Sequence, residues 1–384
     1  MSTTALLCIA LFSVLLLLFL VIRMKVSAFV SLLLVSMITA LIAGIPVDKV
    51  MPTLIAGMWS TLGSITIILG LGAILGKMIE VSGGAEALAS YFSRLLGVSK
   101  TVAAVTIAGF ILGIPIFVDV GFIILAPIVL GFARFTKANP IVYGLPVAAA
   151  MLTVHVVVPP HPGPVAAANI LHADVGMLTL LGILLCIPTS ICAFYFARSV
   201  IRKHLAAKGE SAEIRTDITS LNMADIQSDR VKLDNLEPPS VGLILTLVIL
   251  PIALIMLGTV SATVLDKASS LYRVAQFLGS PGTALMISIL LAFYFIGIKR
   301  GWELGRIGEV MDDALPTAAV VILVTGGGGV FGKVLTETGV GTALANTLVS
   351  LGIPILPAAF IIAAALRASQ GSATVDILTT DGLI

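Results

Sequence analysis

The chain has 384 residues, 58% hydrophobic and only 11% charged, with a mean hydropathy of +1.14. Soluble domains carry about 25% charged residues, so this composition excludes a water-soluble globule and places the chain in a lipid bilayer. A net charge of +2 gives no basic surface for a nucleic-acid partner, and Cys8, Cys186 and Cys192 form no C-x-x-C pair, so neither a disulfide framework nor a zinc site is predicted.

A membrane-spanning helix takes about 20 apolar residues. The first candidate, 4–22, lacks a basic leader and reaches Arg23 and Lys25 without an A-x-A site, so it reads as a retained helix, not a cleaved signal. Further candidates are 26–46, 52–79, 101–133, 140–160, 175–197, 239–260, 280–298, 316–335 and 354–378. One long polar stretch, 202–238, divides the chain. The predicted organisation is therefore N-terminal helices over 1–50, a first half over 51–200, a cytoplasmic linker over 201–238 and a second half over 239–384.

Basic residues orient membrane proteins by collecting in cytoplasmic loops. They cluster at Arg23 and Lys25, in the central loop, and at Lys299, Arg300 and Arg306. With all three clusters cytoplasmic, 52–79 runs inward and 316–335 runs outward. These opposed segments resemble each other. GLGAILGKMIEVSGGAEALA (70–89) aligns without gaps to GGGGVFGKVLTETGVGTALA (326–345), matching Gly70, Gly72, Gly76, Lys77 and Gly83 to Gly326, Gly328, Gly332, Lys333 and Gly339. Beyond this the match weakens and sets Asp119 opposite Ser369. The fold class expected is an all-α polytopic membrane protein with inverted-topology repeats and discontinuous helices, an architecture that binds small solutes where its helices are interrupted.

Asp119 is the only charged residue between Lys100 and Arg134. As one helix, 101–133 would extend about 50 Å, far beyond a hydrocarbon core of about 30 Å, so the segment must break or fold back. Gly113, Pro115 and Gly121 are the predicted break points, with Asp119 inside the break, and Gly326 and Gly328 are the break points of the second repeat. Asp119 reads either as a buried structural acid or as the proton-coupling carboxylate.

The second polar island is TVHVVVPPHPGPVAAA, 153–168, whose prolines preclude a regular helix. His161 is a candidate substrate or proton contact, against the alternative of a solvated loop histidine, whereas His155 reads as structural. Ser369, Gln370, Gly371, Ser372 and Thr374 offer neutral donors and acceptors to a polyhydroxy ligand, or simply close helix packing. Lys77 and Lys333 either attract an anion or extend to the interface from helix ends. The Gly326–Gly329 run is not a phosphate loop, because Val334 and not Ser or Thr follows Lys333. No His, Asp and Glu grouping has metal-ligand spacing, and no cofactor is predicted. An intramembrane enzyme using Asp119 with His161 is a competing class, but no nucleophile motif supports it, and the chain is read as a non-enzyme.

At LGAILGKMIEVSGGAE, FVDVGFIILAP, PPHPGPVAAA, GGGGVFGKVLTETGVG and QGSATV the sequence resembles the gluconate permease family of bacterial sugar-acid:proton symporters, from about residue 10 onward. The resemblance implies uptake of gluconate or a related sugar-acid anion with protons, a multi-pass location in the bacterial inner membrane, and a homodimer. It matches Asp119 to an acidic family position, His161 to the PPHPGP histidine, and Gly371, Ser372 and Thr374 to a G-S-A-T motif. A D-serine branch usually departs at the PGP after that histidine, so His161–Pro164 favours a sugar acid. Family members continue past the G-S-A-T helix, whereas this sequence stops at Ile384 and carries Asp376 and Asp381 at neutral family positions. A truncated, non-functional paralogue and a sodium-coupled carboxylate carrier are therefore the alternatives to a proton symporter.

Overall fold

The computed structural model describes residues 1–208 and 238–343 with isolated positions beyond, and at Ser64, Val98, Asp119, Phe135 and Ile170 the backbone alone. The proposed G-S-A-T half-site, Ser369, Gln370, Gly371, Ser372 and Thr374, lies outside the described residues, as does most of the polar linker.

The described residues form helices and connecting turns, with no strand among them. In chain order the helices are α1 (Thr3–Leu18, ending in a π turn, Phe19–Arg23), α2 (Ala28–Ile42), α3 (Val47–Val81), α4 (Gly84–Leu96), α5 (Thr101–Leu112), α6 (Val118–Phe135) and α7 (Ile141–Val157). They continue with α8 (Pro162–Ile170), α9 (Val175–Ala207), α10 (Val241–Val264), α11 (Ser270–Gly279), α12 (Pro281–Ala292), α13 (Leu304–Asp312) and α14 (Leu315–Glu337). Among the described residues, six stretches are long and apolar enough to cross a membrane: Thr3–Arg23, Ile141–Asn169, Val175–Ala207, Val241–Val264, Pro281–Arg300 and Leu304–Glu337. The bent pair Val47–Gly63 and Ile65–Val81 makes a seventh when counted as one span. The chain is a multi-pass α-helical membrane protein.

Local chemistry explains the boundaries. Ser2, Ser27, Asp174, Ser240 and Ser269 cap helix starts by accepting backbone N–H groups. Inside helices, hydroxyls donate to carbonyls one turn back, as Ser36 does to Leu32 O (2.6 Å) and Thr106 to Val102 O (2.7 Å), because lipid offers no other partner. Large apolar side chains such as Leu184, Leu185 and Phe196 remain exposed on α9, as a lipid-facing surface requires.

The chain folds as two compact units: Met1–Leu69 with Pro162–Ala173 and Thr317–Ile384, and Gly70–His161 with Asp174–Pro316. In the first unit, Ile9, Leu17, Leu32, Val35, Phe331 and Leu335 form one buried cluster, and Ala40, Val50, Leu54, Val330 and Val334 another. In the second, α7 packs against α5, α6 and α9, and α10 packs against α11 and α12.

The two aligned sequence segments share local structure. Each ends a helix with a lysine–glutamate pair, Lys77–Glu80 at 3.0 Å and Lys333–Glu337 at 2.8 Å. Each then turns through a left-handed glycine, Gly83 (φ 84°) or Gly339 (φ 73°). Only glycine adopts that conformation without cost.

Two break-point expectations are corrected here. Gly326 and Gly328 do not interrupt a helix, because α14 runs unbroken from Leu315 to Glu337. A methyl group at Gly326 would collide with Met58, and one at Gly57 would lie 2.9 Å from Gly329 O and the Val330 Cα. The glycines thus let α14 and the first part of α3 approach backbone to backbone, and an intact helix keeps its N–H and C=O groups paired in lipid. Gly121 also lies inside a helix, donating its N–H to Phe117 O at 2.8 Å in the first turn of α6. Its missing side chain makes room for Met151.

Candidate functional site

The predicted break in 101–133 spans Gly113–Phe117, between α5 and α6. Gly113 caps α5 and donates its N–H to Gly109 O (2.8 Å). Pro115 has no N–H to continue the helical ladder, and the chain restarts after an extended Phe117 (ψ 138°). Asp119 is the second residue of α6.

A second break follows α7. Val158 is extended (φ −101°, ψ 125°), as a residue before proline prefers. The Pro159–Pro160 peptide is cis, and neither proline can donate a hydrogen bond. His161 then comes back toward the first break. Its Nε2 donates to Gly113 O at 2.6 Å, and its Nδ1 lies 3.0 Å from the Nδ1 of His155. The two imidazole centroids are 4.2 Å apart, with the Phe117 ring 5.9 Å from His161 and 6.2 Å from His155.

Both breaks rest on the glycine face of α3. A Cβ at Gly72 would stand 3.3 Å from Pro160 Cγ, and one at Gly76 would stand 3.0 Å from Pro115 O. Two glycines of the repeated motif thus form the floor on which irregular backbone from two other segments is laid.

The structure brings Gly113, Pro115 and His161 together, and the backbone of residue 119 follows in the first turn of α6. Gly121 stands inside α6, and Gly326 and Gly328 belong to the other unit. His161 differs from its expected role. It is 2% exposed and both ring nitrogens have protein partners, so here it ties the two breaks together instead of facing a solute. His155, read as structural from sequence, is partly exposed and contacts it directly. Its signal in the sequence was its position on the last turn before the double proline. Lys77 and Lys333 each pair with a glutamate of their own helix. Among the described residues no grouping of histidine, cysteine or carboxylates is arranged to hold a metal ion.

The two helix breaks thus meet at the buried His161, irregular backbone of a kind that a membrane protein tolerates only where protein encloses it. The chain belongs to the GntP permease family, whose description, GntP family permease, matches residues 5–384. It is 57% identical over 384 residues to the inner membrane permease YgbN of Escherichia coli K12, covering 100% of this chain and 84% of that protein. It is 33% identical over 384 residues to the low-affinity gluconate transporter of the same organism, covering 100% of this chain and 83% of that protein. Its fold is similar to the crystal structure of the Alcanivorax borkumensis YdaH transporter, with a TM-score of 0.59 over 93% of this chain and 81% of the other, at 14% identity. The family is one of permeases, not of enzymes.

Proposed function

We propose that this protein carries gluconate or a closely related sugar-acid anion across the bacterial inner membrane in symport with protons. The observation that carries the reading is the family match over residues 5–384, with relatives named as gluconate transporters aligned along the same length. The paired breaks support it physically. They bring irregular backbone, a buried histidine and the first-turn position 119 into one unit, a setting suited to an anion and a proton in a low-dielectric site.

In this mechanism Asp119 takes a proton from the outer side. The anion settles between the Asp119 break and the Ser369–Thr374 segment, where Ser369, Gln370, Ser372 and Thr374 supply hydroxyl and amide partners. The loaded core then moves against the rest of the protein and releases both inside, working as a homodimer.

The test is labelled-gluconate uptake in cells lacking their own gluconate carriers. Saturable uptake that a protonophore abolishes and that persists without external sodium is expected. Sodium-dependent, protonophore-insensitive uptake would replace the proton by sodium. Absence of uptake of gluconate and of other sugar acids, with insertion confirmed, would refute the reading.

A further inference from the structure

Contacts among α5, α7 and α9 bring two basic residues to one end of their unit. A Cβ at Gly182 would stand 3.2 Å from Val157 O, and Cys186 Sγ lies 3.4 Å from Thr153 O, so α9 runs antiparallel to α7. The same register sets Arg198 level with Ile141, the first residue of α7. Two residues on, the Tyr143 hydroxyl lies 2.9 Å from the hydroxyl of Thr101, the first residue of α5. Lys100, the cap residue of α5, therefore stands at the same end as Arg198.

An apolar pocket of about 380 Å³ lies between the three helices, inward of this end. Ala103 and Phe110 of α5, Ala150 of α7, and Ile187, Phe194 and Tyr195 of α9 line it. Ile187 and Tyr195 are exposed, so the pocket faces lipid, and its walls suit a hydrocarbon chain and not a sugar acid. From Tyr195 to Ile187 a helix rises about 12 Å, most of the roughly 15 Å that one leaflet contributes to a hydrocarbon core of about 30 Å. The rim is basic. The Arg198 guanidinium lies 5.5 Å from the centroid of the Phe194 ring, and Lys100 is exposed one turn before Ala103. No carboxylate belongs to α5, α7 or α9, and Asp119 of α6 is in the first turn of that helix, whereas its last turn is the one that reaches Tyr143 through Thr136.

We propose that this pocket binds an anionic phospholipid, with one acyl chain between α5, α7 and α9 and the phosphate held by Lys100 and Arg198. The basic rim without carboxylates selects the headgroup charge, and the depth of the pocket selects a chain from a single leaflet. The distribution of basic residues makes that leaflet the cytoplasmic one, where basic pockets between membrane helices recognise anionic headgroups. Arg198 offers the phosphate a fork of donors, and Lys100 adds a point charge. Because α5 forms one wall and ends at Gly113, the bound chain braces the helix that leads into the first break. The proposal does not depend on which solute the protein carries.

The test titrates the delipidated full-length chain in detergent with phosphatidylglycerol and follows binding by native mass spectrometry. Phosphatidylglycerol is expected to be retained in preference to zwitterionic phosphatidylethanolamine. Lys100→Gln combined with Arg198→Gln should weaken its binding by about tenfold or more. Ala103→Phe fills the pocket, leaves both charges and should weaken binding comparably. Arg23→Gln combined with Lys25→Gln removes the same charge elsewhere on the cytoplasmic side and should change binding by less than about twofold. Phosphatidylglycerol with a photoreactive acyl chain should label α5 and α9 of the unsubstituted chain, which decides the position of the tail even if Ala103→Phe fails to fold. Equal retention of the two lipids, equal losses in the two charge variants, or labelling spread over helices outside α5, α7 and α9 would overturn the proposal. Displacement by glycerol 3-phosphate at the concentration at which the lipid binds would reduce the site to a tailless phosphate site and overturn it. Loss of a dimer in place of lipid adducts on Ala103→Phe would assign the pocket to a second copy of the chain and also overturn it.

Discussion

Gly72 and Gly76 show how a single missing methyl group shapes the site. A Cβ at Gly76 meets the Pro115 carbonyl at 3.0 Å, and that oxygen belongs to backbone that cannot rotate away. Gly76→Ala is expected to destabilise the protein by about 1–3 kcal/mol as overpacking. Gly70 belongs to the same motif but has nothing within 4 Å, so Gly70→Ala should be neutral or stabilising by up to about 1 kcal/mol. Thermal unfolding in detergent distinguishes them, and equal midpoints would contradict the packing account. His161→Phe removes the donor to Gly113 O and leaves a buried carbonyl unpaired, which should cost about 1–3 kcal/mol in the same assay. The motif glycines and His161 were visible in the sequence as unusual residues. Their roles were not, because nothing local says that Pro160 packs over Gly72 or that His155 meets His161 across a proline turn.

The helices most legible in sequence were those defined by apolar length. The segments 175–197, 239–260 and 316–335 became α9, α10 and α14, within a few residues at most ends. The overlong 101–133 was correctly refused as one helix, because its length exceeded the bilayer and Pro115 stood in its middle. Amphipathic α4, α11 and α13 were missed, since a search for continuous apolar runs does not see a helix with one polar face. The glycine run of α14 was misread as a break because glycine weakens isolated helices, whereas in lipid the backbone has no better alternative than the helix. The α14–α3 packing can be tested against a surface control. Gly57→Val places side-chain atoms where Lys333 Cβ would lie 2.8 Å away and should lower the unfolding midpoint strongly. Lys333→Met breaks only a partly exposed ion pair and should change stability by less than about 1 kcal/mol. Similar shifts for both would show that the helices do not approach as described.

At the scale of the molecule, the distribution of basic residues predicts an orientation in the membrane that can be measured without reference to a substrate. In a background with Cys8, Cys186 and Cys192 replaced by serine, Lys267→Cys should react with an impermeant maleimide added outside, and Lys299→Cys only after permeabilisation. The reverse pattern would invert the topology. Composition and hydropathy were sufficient to recognise a multi-pass membrane protein, and the repeated G-x-G-x-x-x-G-K motif marked the local structure that recurs at Lys77–Gly83 and Lys333–Gly339. The Ser369–Thr374 half of the proposed site lies outside the described residues, so its part in binding rests on sequence.

The central claim is that gluconate and protons move together through this protein. The most direct measurement reconstitutes the purified chain in vesicles holding a pH-sensitive dye, with no ion gradient imposed, and adds gluconate outside. The account predicts that the interior acidifies as gluconate enters, that Asp119→Asn abolishes the acidification, and that a vesicle without protein shows none. Entry of labelled gluconate at an unchanged internal pH would contradict it.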